Sequence, residues 1–379
     1  MNILKRIFKP KIKYISGVLE DVRPPEEKKK DFLTEEILVS ALPLNWITWE
    51  EWKEKPAIKK MLNDLEVHSQ KNVGSCAAES LALLLAIKNY QEDGVFNKVS
   101  SKPIYGNRIN KPSVGMYASD VGKIGVELGS VFESLYPSPN DTDANMSDLS
   151  DYITAYKSMA KVLRMDKYFW LYQTTNIDTF AQILALGEPI NMTVVFGDGE
   201  WTSVPEVKNV VPKYGHMITA LPNSYFTYQG KKAIYAQDSH GKDYYLNGRH
   251  ILKEEWFTKG RVIVGIWFSD IHNLEVFNQQ VISELKPKYQ FNKDLYLGMN
   301  NSDVAMLQVC LATIQDSDGF LFPLWQGQSP TGYFGGLTLK AVKRFQEKYK
   351  DEILIPLGLI SATGYVGSST RAVLNRLFK

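Results

Sequence analysis

The chain has 379 residues, with 44% hydrophobic, 23% charged and 12% aromatic side chains. That mixture excludes wholesale disorder, and the length predicts two or three folded units. Lys and Arg number 44 against 42 Asp and Glu, a formal charge of +2, so nothing marks the whole chain as a binder of nucleic acid. Two cysteines, Cys76 and Cys310, exclude a disulfide framework, and no Cys/His group has zinc spacing. No apolar run approaches the ~18 residues of a membrane span, and no cofactor motif is present. The eight Trp and 20 Tyr are a generous aromatic supply of the kind common in wall-contacting proteins.

The first 40 residues form a distinct arm. Lys5, Arg6, Lys9, Lys11 and Lys13 precede the first acid, Glu20; removing those five charges takes the remainder from +2 to about −3. No apolar stretch follows them, so the arm is not read as a signal peptide. It is either a solvated tail or a docking arm for a membrane surface or a virion partner, and an inhibitory pro-segment is a third reading. Pro24-Pro25-Glu26-Glu27 and Lys28-Lys29-Lys30 read as a solvated linker.

Regular signals begin near Leu42. Residues 77–90 hold strong helix formers without Gly or Pro and predict a helix. Residues 114–135 suggest a short helix and a turn, and 137–150 a surface loop. A helix over 177–186 and a buried strand over 189–196 follow, then β-rich runs at 216–221, 233–238 and 261–268. Helices first and strands afterwards make an α+β unit, not alternating β/α repeats. A polar linker over 273–292 leads to a unit at 293–379 that repeats itself. Thr331-Gly332-Tyr333-Phe334-Gly335 with Thr338 recurs 32 residues later as Thr363-Gly364-Tyr365-Val366-Gly367 with Thr370. With the helix after Asp303, carrying Leu307, Gln308 and Leu311, this predicts a small three-helix bundle.

Cys76 is the residue best placed for chemistry. It follows Gly74-Ser75 and precedes the predicted helix, where unpaired N–H groups and the helix dipole favour a thiolate. Gly215-His216 opens one strand-like run, and Asp238 closes another before Ser239-His240-Gly241. His68, His250 and His272 have no partner pattern and are taken as surface or structural. Cys310 is read as helix packing, and Asp316-Ser317-Asp318-Gly319 as a turn in place of a calcium loop.

The boxes Gln70-Lys71-Asn72-Val73-Gly74-Ser75-Cys76-Ala77, Gly215-His216-Met217 and Asp238-Ser239-His240-Gly241 resemble those of papain-like cysteine peptidases. Leu42-Pro43-Leu44-Asn45-Trp46 and Gly129-Ser130-Val131-Phe132-Glu133-Ser134-Leu135-Tyr136-Pro137 add weaker echoes, so the likeness spans about 41–272. It implies a two-lobed α+β fold and a hydrolase without metal or organic cofactor. Cys76 would be the nucleophile, His216 its base and Asp238 the group orienting that base. Gln70 and the Cys76 backbone N–H would form the oxyanion hole, and the substrate would be a peptide or protein. Asp238 stands where the family has Asn, and Ala77 and His240 stand where it has Trp; the last change implies a wetter or differently packed site. Residues 293–379 resemble the peptidoglycan-binding module of wall hydrolases, with Gly332, Tyr333, Gly335 and Thr338 as candidate wall contacts. A peptidase tethered to bacterial wall fits a phage lysin, a virion-associated hydrolase or a bacterial wall enzyme. A silent scaffold of the same fold, in an adhesion or virion protein, is the alternative that the departures at Ala77 and His240 motivate.

Overall fold

The computed structural model describes residues 17–19, 44–172, 174–271, 288–322, 330 and 332–378. The basic residues of the arm, the Pro-Pro-Glu-Glu and triple-Lys stretch, His272 and most of the proposed linker lie outside them. Val18–Leu19 (β1) pairs in parallel with Met116–Tyr117 (β2). Between them come helices Trp49–Glu54 (α1), Pro56–Asp64 (α2) and Cys76–Asp93 (α3). Ala118–Glu127 (α4) follows β2, and Asp143–Ser147 (α5) lies inside the stretch expected to be loop. Thr142 makes that turn helical, its side chain accepting from the Asn145 N–H.

The second half is a six-stranded antiparallel sheet in the order β3-β8-β4-β5-β6-β7. Its strands are Met165–Leu171 (β3), Ile190–Phe196 (β4), Tyr214–Tyr228 (β5), Lys231–Gln237 (β6), Arg249–Lys253 (β7) and Val262–Ile271 (β8). Strands β3 and β7 carry no clean alternation and escape a sequence reading. Register shifts between Ala220 and Tyr225, where β5 meets β6, account for a strand far longer than the apolar run at 216–221.

α3 shows why the halves meet where they do. It is buried all round over residues 76–89, and Cys76, Ala77, Ala78, Leu81, Ala82, Leu84 and Leu85 are all 0% exposed. Such a helix has no solvent face and must be enclosed, here by the other helices on one side and the sheet on the other. A polar pin sets its depth: Ser80 Oγ donates to Asn191 Oδ1 at 2.9 Å and lies 2.8 Å from Thr219 Oγ1, on β4 and β5. The start of α3 is thereby held beside the beginning of β5 and the end of β6.

The C-terminal unit contains Ser302–Ala312 (α6), Gly336–Lys348 (α7) and Ser368–Phe378 (α8), with a small hairpin at 315–320. Residues 288–292, counted with the linker from sequence, belong to it: Phe291 is buried, and the Tyr289 N–H donates to Phe378 O at 2.6 Å. The unit does not hang from a tether. Its core runs without interruption into the helical half, joining Leu307, Phe345 and Leu374 to Val131, Leu135, Tyr136, Tyr152 and Tyr156. A hydrogen bond from Ser134 Oγ to Pro330 O crosses the same junction.

The internal repeat has a clear physical cause. Gln308 on α6 donates from Nε2 to Tyr333 O (3.0 Å) and Thr338 Oγ1 (2.8 Å), while its Oε1 accepts from the Gly332 N–H (3.1 Å). Gln346 on α7 does the same with Tyr365 O (2.8 Å), Thr370 Oγ1 (3.0 Å) and the Gly364 N–H (2.8 Å). Gly332 and Gly364 sit at φ of +73° and +78°, which is why each turn begins with glycine. The threonines are bonded to the glutamine of the preceding helix; they do not act as helix caps.

Candidate active site

Cys76 is the first residue of α3, and the backbone N–H groups of Ala77 and Met217 face its sulfur. Met217 follows His216 on β5, so the cysteine and histidine singled out in sequence are brought to one place. His216 Nε2 lies 2.7 Å from Asp238 Oδ1. A carboxylate only accepts, so the hydrogen is on Nε2 and Nδ1 is left as the basic nitrogen. Asp238 follows β6, next to β5 in the sheet, and the register between the strands sets this distance.

Gln70 is anchored to the same segment. Its N–H donates to Ser239 O at 2.7 Å, Ser239 Oγ donates to Gln70 Oε1 at 2.6 Å, and Gln70 Nε2 donates to Val73 O at 2.7 Å. These bonds settle which end of the amide is oxygen. One of the two Nε2 hydrogens remains for another acceptor. Lys71, where the related box has Gly, adopts φ of +52°, a left-handed conformation that glycine takes without strain. Gly74 is required by packing: a Cβ there would meet Val114 Cγ1 at 2.5 Å and Gly115 N at 3.0 Å.

Of the two expectations drawn from His240, a wetter or a differently packed site, the structure shows the second: the site is dry and packed differently. His216 is 3% exposed and Asp238 2%. Its shield comes from two places. The His240 ring stacks on His216 at 4.7 Å and 17°, and Trp201 meets His216 edge-on at 5.8 Å. Trp201 Nε1 also donates to Asp238 Oδ2 at 3.0 Å. His250, taken from sequence as surface or structural, is fully buried, with Nε2 2.8 Å from the same Oδ2. Neither Trp201 nor His250 has a local signature; tertiary folding alone puts them there. His68 is buried too and pairs through Nδ1 with Glu79 at 2.7 Å, beneath the first turn of α3.

The ligating atoms of His216, Asp238 and His240 all lie within 4.8 Å of one another. They are joined by direct contacts of 2.7 and 2.9 Å, shorter than the ~3.3 Å between ligands that each sit ~2.0 Å from a tetrahedral metal. The cluster is therefore a hydrogen-bonded one.

An extended peptide lies across Cys76. The Gly17 N–H donates to Gly215 O at 3.2 Å, and Gly17 O accepts from the Met116 N–H at 2.8 Å. The contact is so close that a Cβ on Gly17 would stand 2.4 Å from Cys76 Sγ. Enclosure has an electrostatic consequence. Burial pushes the Cys76 thiol up to about 12, and the Asp238 charge adds to the rise against the two backbone N–H groups. Burial likewise lowers His216, and Asp238 only partly restores it. For Asp238 burial acts the other way, but the imidazoles of His240 and His216 outweigh it and hold the carboxyl well below its usual range. The enclosed state is thus a neutral thiol beside a neutral imidazole.

In the C-terminal unit, Thr338 is buried and Gly332 is committed to Gln308, while Tyr333 is half-exposed beside Gly335. Cys310 is fully buried, and burial raises its thiol well above the usual range. Asp316 pairs with Arg344 and belongs to the hairpin, as a turn reading requires.

No protein-family model matches the chain, and no curated protein sequence matches it. Solved structures do. Xylellain, a cysteine protease from Xylella fastidiosa, is 16% identical over 70% of this chain and 99% of its own, with a TM-score of 0.52. A procathepsin B from Trypanosoma congolense is 13% identical over 62% of this chain and 80% of its own, with a TM-score of 0.47. The proform of the ragweed pollen cysteine protease Amb a 11 is 16% identical over 64% of this chain and 69% of its own, with a TM-score of 0.47. With a helix that begins at Cys76 between its two lobes and an antiparallel sheet that places His216 beside Asp238, the chain has the papain-like cysteine-protease fold.

Proposed function

We propose that this protein is a cysteine peptidase held latent by its own N-terminal segment. The observation that carries the reading is the extended segment 17–19, polypeptide main chain bound between Gly215 O and the Met116 N–H directly over Cys76. A groove that takes one extended chain there offers a substrate the same donor and acceptor. With the segment withdrawn, the sulfur regains solvent and the largest cause of its raised pKa is gone. A proton then passes from Cys76 to His216 Nδ1, and the thiolate attacks the scissile carbonyl carbon. The tetrahedral oxyanion is met by the second Gln70 Nε2 hydrogen and the Cys76 N–H, each donor worth about 2.7–4 kcal/mol. His216 returns the proton to the leaving amine, and water then releases the acid from the thioester.

Labelling of Cys76 by an epoxide or iodoacetamide at neutral pH tests this. A chain lacking residues 1–40 should react faster than a free thiol and lose that rate in His216→Ala. A rate no faster than a free thiol, unchanged by His216→Ala, supports the silent-scaffold alternative instead. The same truncation decides whether the arm inhibits: equal reactivity of full-length and truncated chains would overturn latency.

For the C-terminal unit the reading is attachment to bacterial wall, with peptide stems or wall proteins as substrate and a lysin or virion-associated hydrolase as setting. Half-exposed Tyr333, Tyr296, Leu297 and Tyr365 support it as a surface of aromatic and apolar groups. Retention of the full-length protein on purified sacculi, weakened in Tyr333→Ala, is the expected result. No retention would reassign the unit to protein docking.

A further inference from the structure

Asp238 has more partners than orienting one histidine requires. Oδ1 faces His216 Nε2 at 2.7 Å and accepts from the Ser239 N–H at 2.6 Å. Oδ2 faces His250 Nε2 at 2.8 Å, His240 Nδ1 at 2.9 Å and Trp201 Nε1 at 3.0 Å. The other nitrogen of His250, Nδ1, lies 2.6 Å from the Thr202 carbonyl oxygen. Neither a carbonyl nor an ionised carboxylate has a hydrogen to give. A neutral imidazole has one N–H, so one of its nitrogens would hold a lone pair against an oxygen lone pair at 2.6 or 2.8 Å. Both nitrogens of His250 therefore donate.

We infer that His250 carries a hydrogen on each ring nitrogen and forms with Asp238 a buried, net-neutral imidazolium–carboxylate unit. Its role is positioning. It cancels the charge of Asp238 from behind, so Oδ1 offers His216 an acceptor without an uncompensated negative charge, much as a neutral carboxamide would. Packing holds the arrangement. The His250 ring lies between Trp201 at 4.3 Å and Tyr245 at 4.2 Å, and the pairing of Ala236 with His250 fixes β7 beside the end of β6. The titratable groups around it among the described residues are Asp238 after β6, His216 on β5, and His240 and Tyr245 in the loop before β7. Asp238 is the one anion of that set. An imidazolium without such a partner would be costly at this depth, and the direct pair offsets that cost.

The inference rests on the peptidase reading only for its catalytic consequence, and its first test is independent of activity. In full-length protein labelled with 15N at histidine, at pH 7, His250 should show N–H signals from both ring nitrogens, assigned by their loss in His250→Gln. A ring nitrogen without a hydrogen at pH 7 overturns the inference. The second test is the pH profile of Cys76 alkylation. In His250→Gln, Asp238 is uncompensated, which disfavours the thiolate and favours the imidazolium, so both limbs should move up. A shift of one unit makes alkylation about tenfold slower at pH 7. In Asp238→Asn the unpaired His250 charge acts the other way, favouring the thiolate and disfavouring the imidazolium, so both limbs should move down. The double variant Asp238→Asn/His250→Gln should return to within about threefold of wild type. A profile unmoved by His250→Gln, or a double variant no closer to wild type than Asp238→Asn, overturns the positioning role. Uniformly free-thiol-like alkylation with both His250 signals present would instead count against the peptidase reading alone.

Discussion

Asp238 and Gln308 are both buried side chains that gather hydrogen bonds from distant stretches of chain, and the chemistry of their partners separates them. Gln308 is neutral, all its partners are neutral, and the pattern returns at Gln346 with nearly the same distances. Nothing at either glutamine changes charge at ordinary pH, so the clamp can only hold a turn against a helix. Asp238 is a buried anion with three imidazoles and an indole, and no second copy of it occurs among the described residues. Burying so many titratable groups together costs more than a neutral core would, and such clusters mark places where protons are managed. The contrast teaches that multiplicity of bonds alone does not identify a site, whereas multiplicity of titratable partners does.

The contrast can be broken or sharpened by substitution. Cys76→Ala should abolish any peptidase activity, by at least about 10³-fold in kcat/KM, with thermal stability little changed. Gly17→Val should move the strand off the sulfur, because even a Cβ there would stand 2.4 Å from it. The thiol, pushed up to about 12 under the strand, should then fall toward its ordinary 9.0. Since the thiolate is the reactive form, alkylation at pH 7 should rise by up to about 10³-fold, measured against wild type from pH 6 to 10.

Gln308→Ala should act on stability alone. It leaves the Gly332 N–H and the Thr338 hydroxyl without their buried partner and should cost about 2–3 kcal/mol, read as a lower Tm. Because this core is continuous with the helical lobe, one cooperative transition is expected; two would show that the units unfold separately. Trp201→Phe keeps the ring and removes one donor to Asp238, and a drop of about tenfold in kcat/KM is expected. Arg376→Ala, which breaks the exposed pair with Glu352, should change stability by less than about 1 kcal/mol.

Much of the site is legible in the chain because its parts are local. A cysteine at a helix start, a histidine entering a strand and an aspartate leaving one are short-range patterns, and the structure gathers all three. Gln70 was legible for the same reason, six residues before Cys76. His250 and Trp201 were not, since a single His or Trp in a loop or short strand carries no local mark. The dryness of the site follows from them, and His240 read alone left it open between a wetter and a differently packed site. In the bundle, repeated glycines announced two equal turns, whereas the glutamine clamps beneath them needed three-dimensional pairing to be recognised.

By itself the sequence determined what depends on near neighbours: the helix α3, the strand pattern after residue 189, the two glycine turns, and the absence of a disulfide framework. Tertiary structure decided what depends on register and depth. It brought Trp201 and His250 onto Asp238, laid Gly17 over Cys76, and fused the C-terminal unit to the helical lobe through shared tyrosines. The physical reason is range. Helix and turn preferences act over a few residues, whereas hydrogen-bond partners and burial, which set the protonation of Cys76 and His216, come from segments up to about 200 positions apart in the chain.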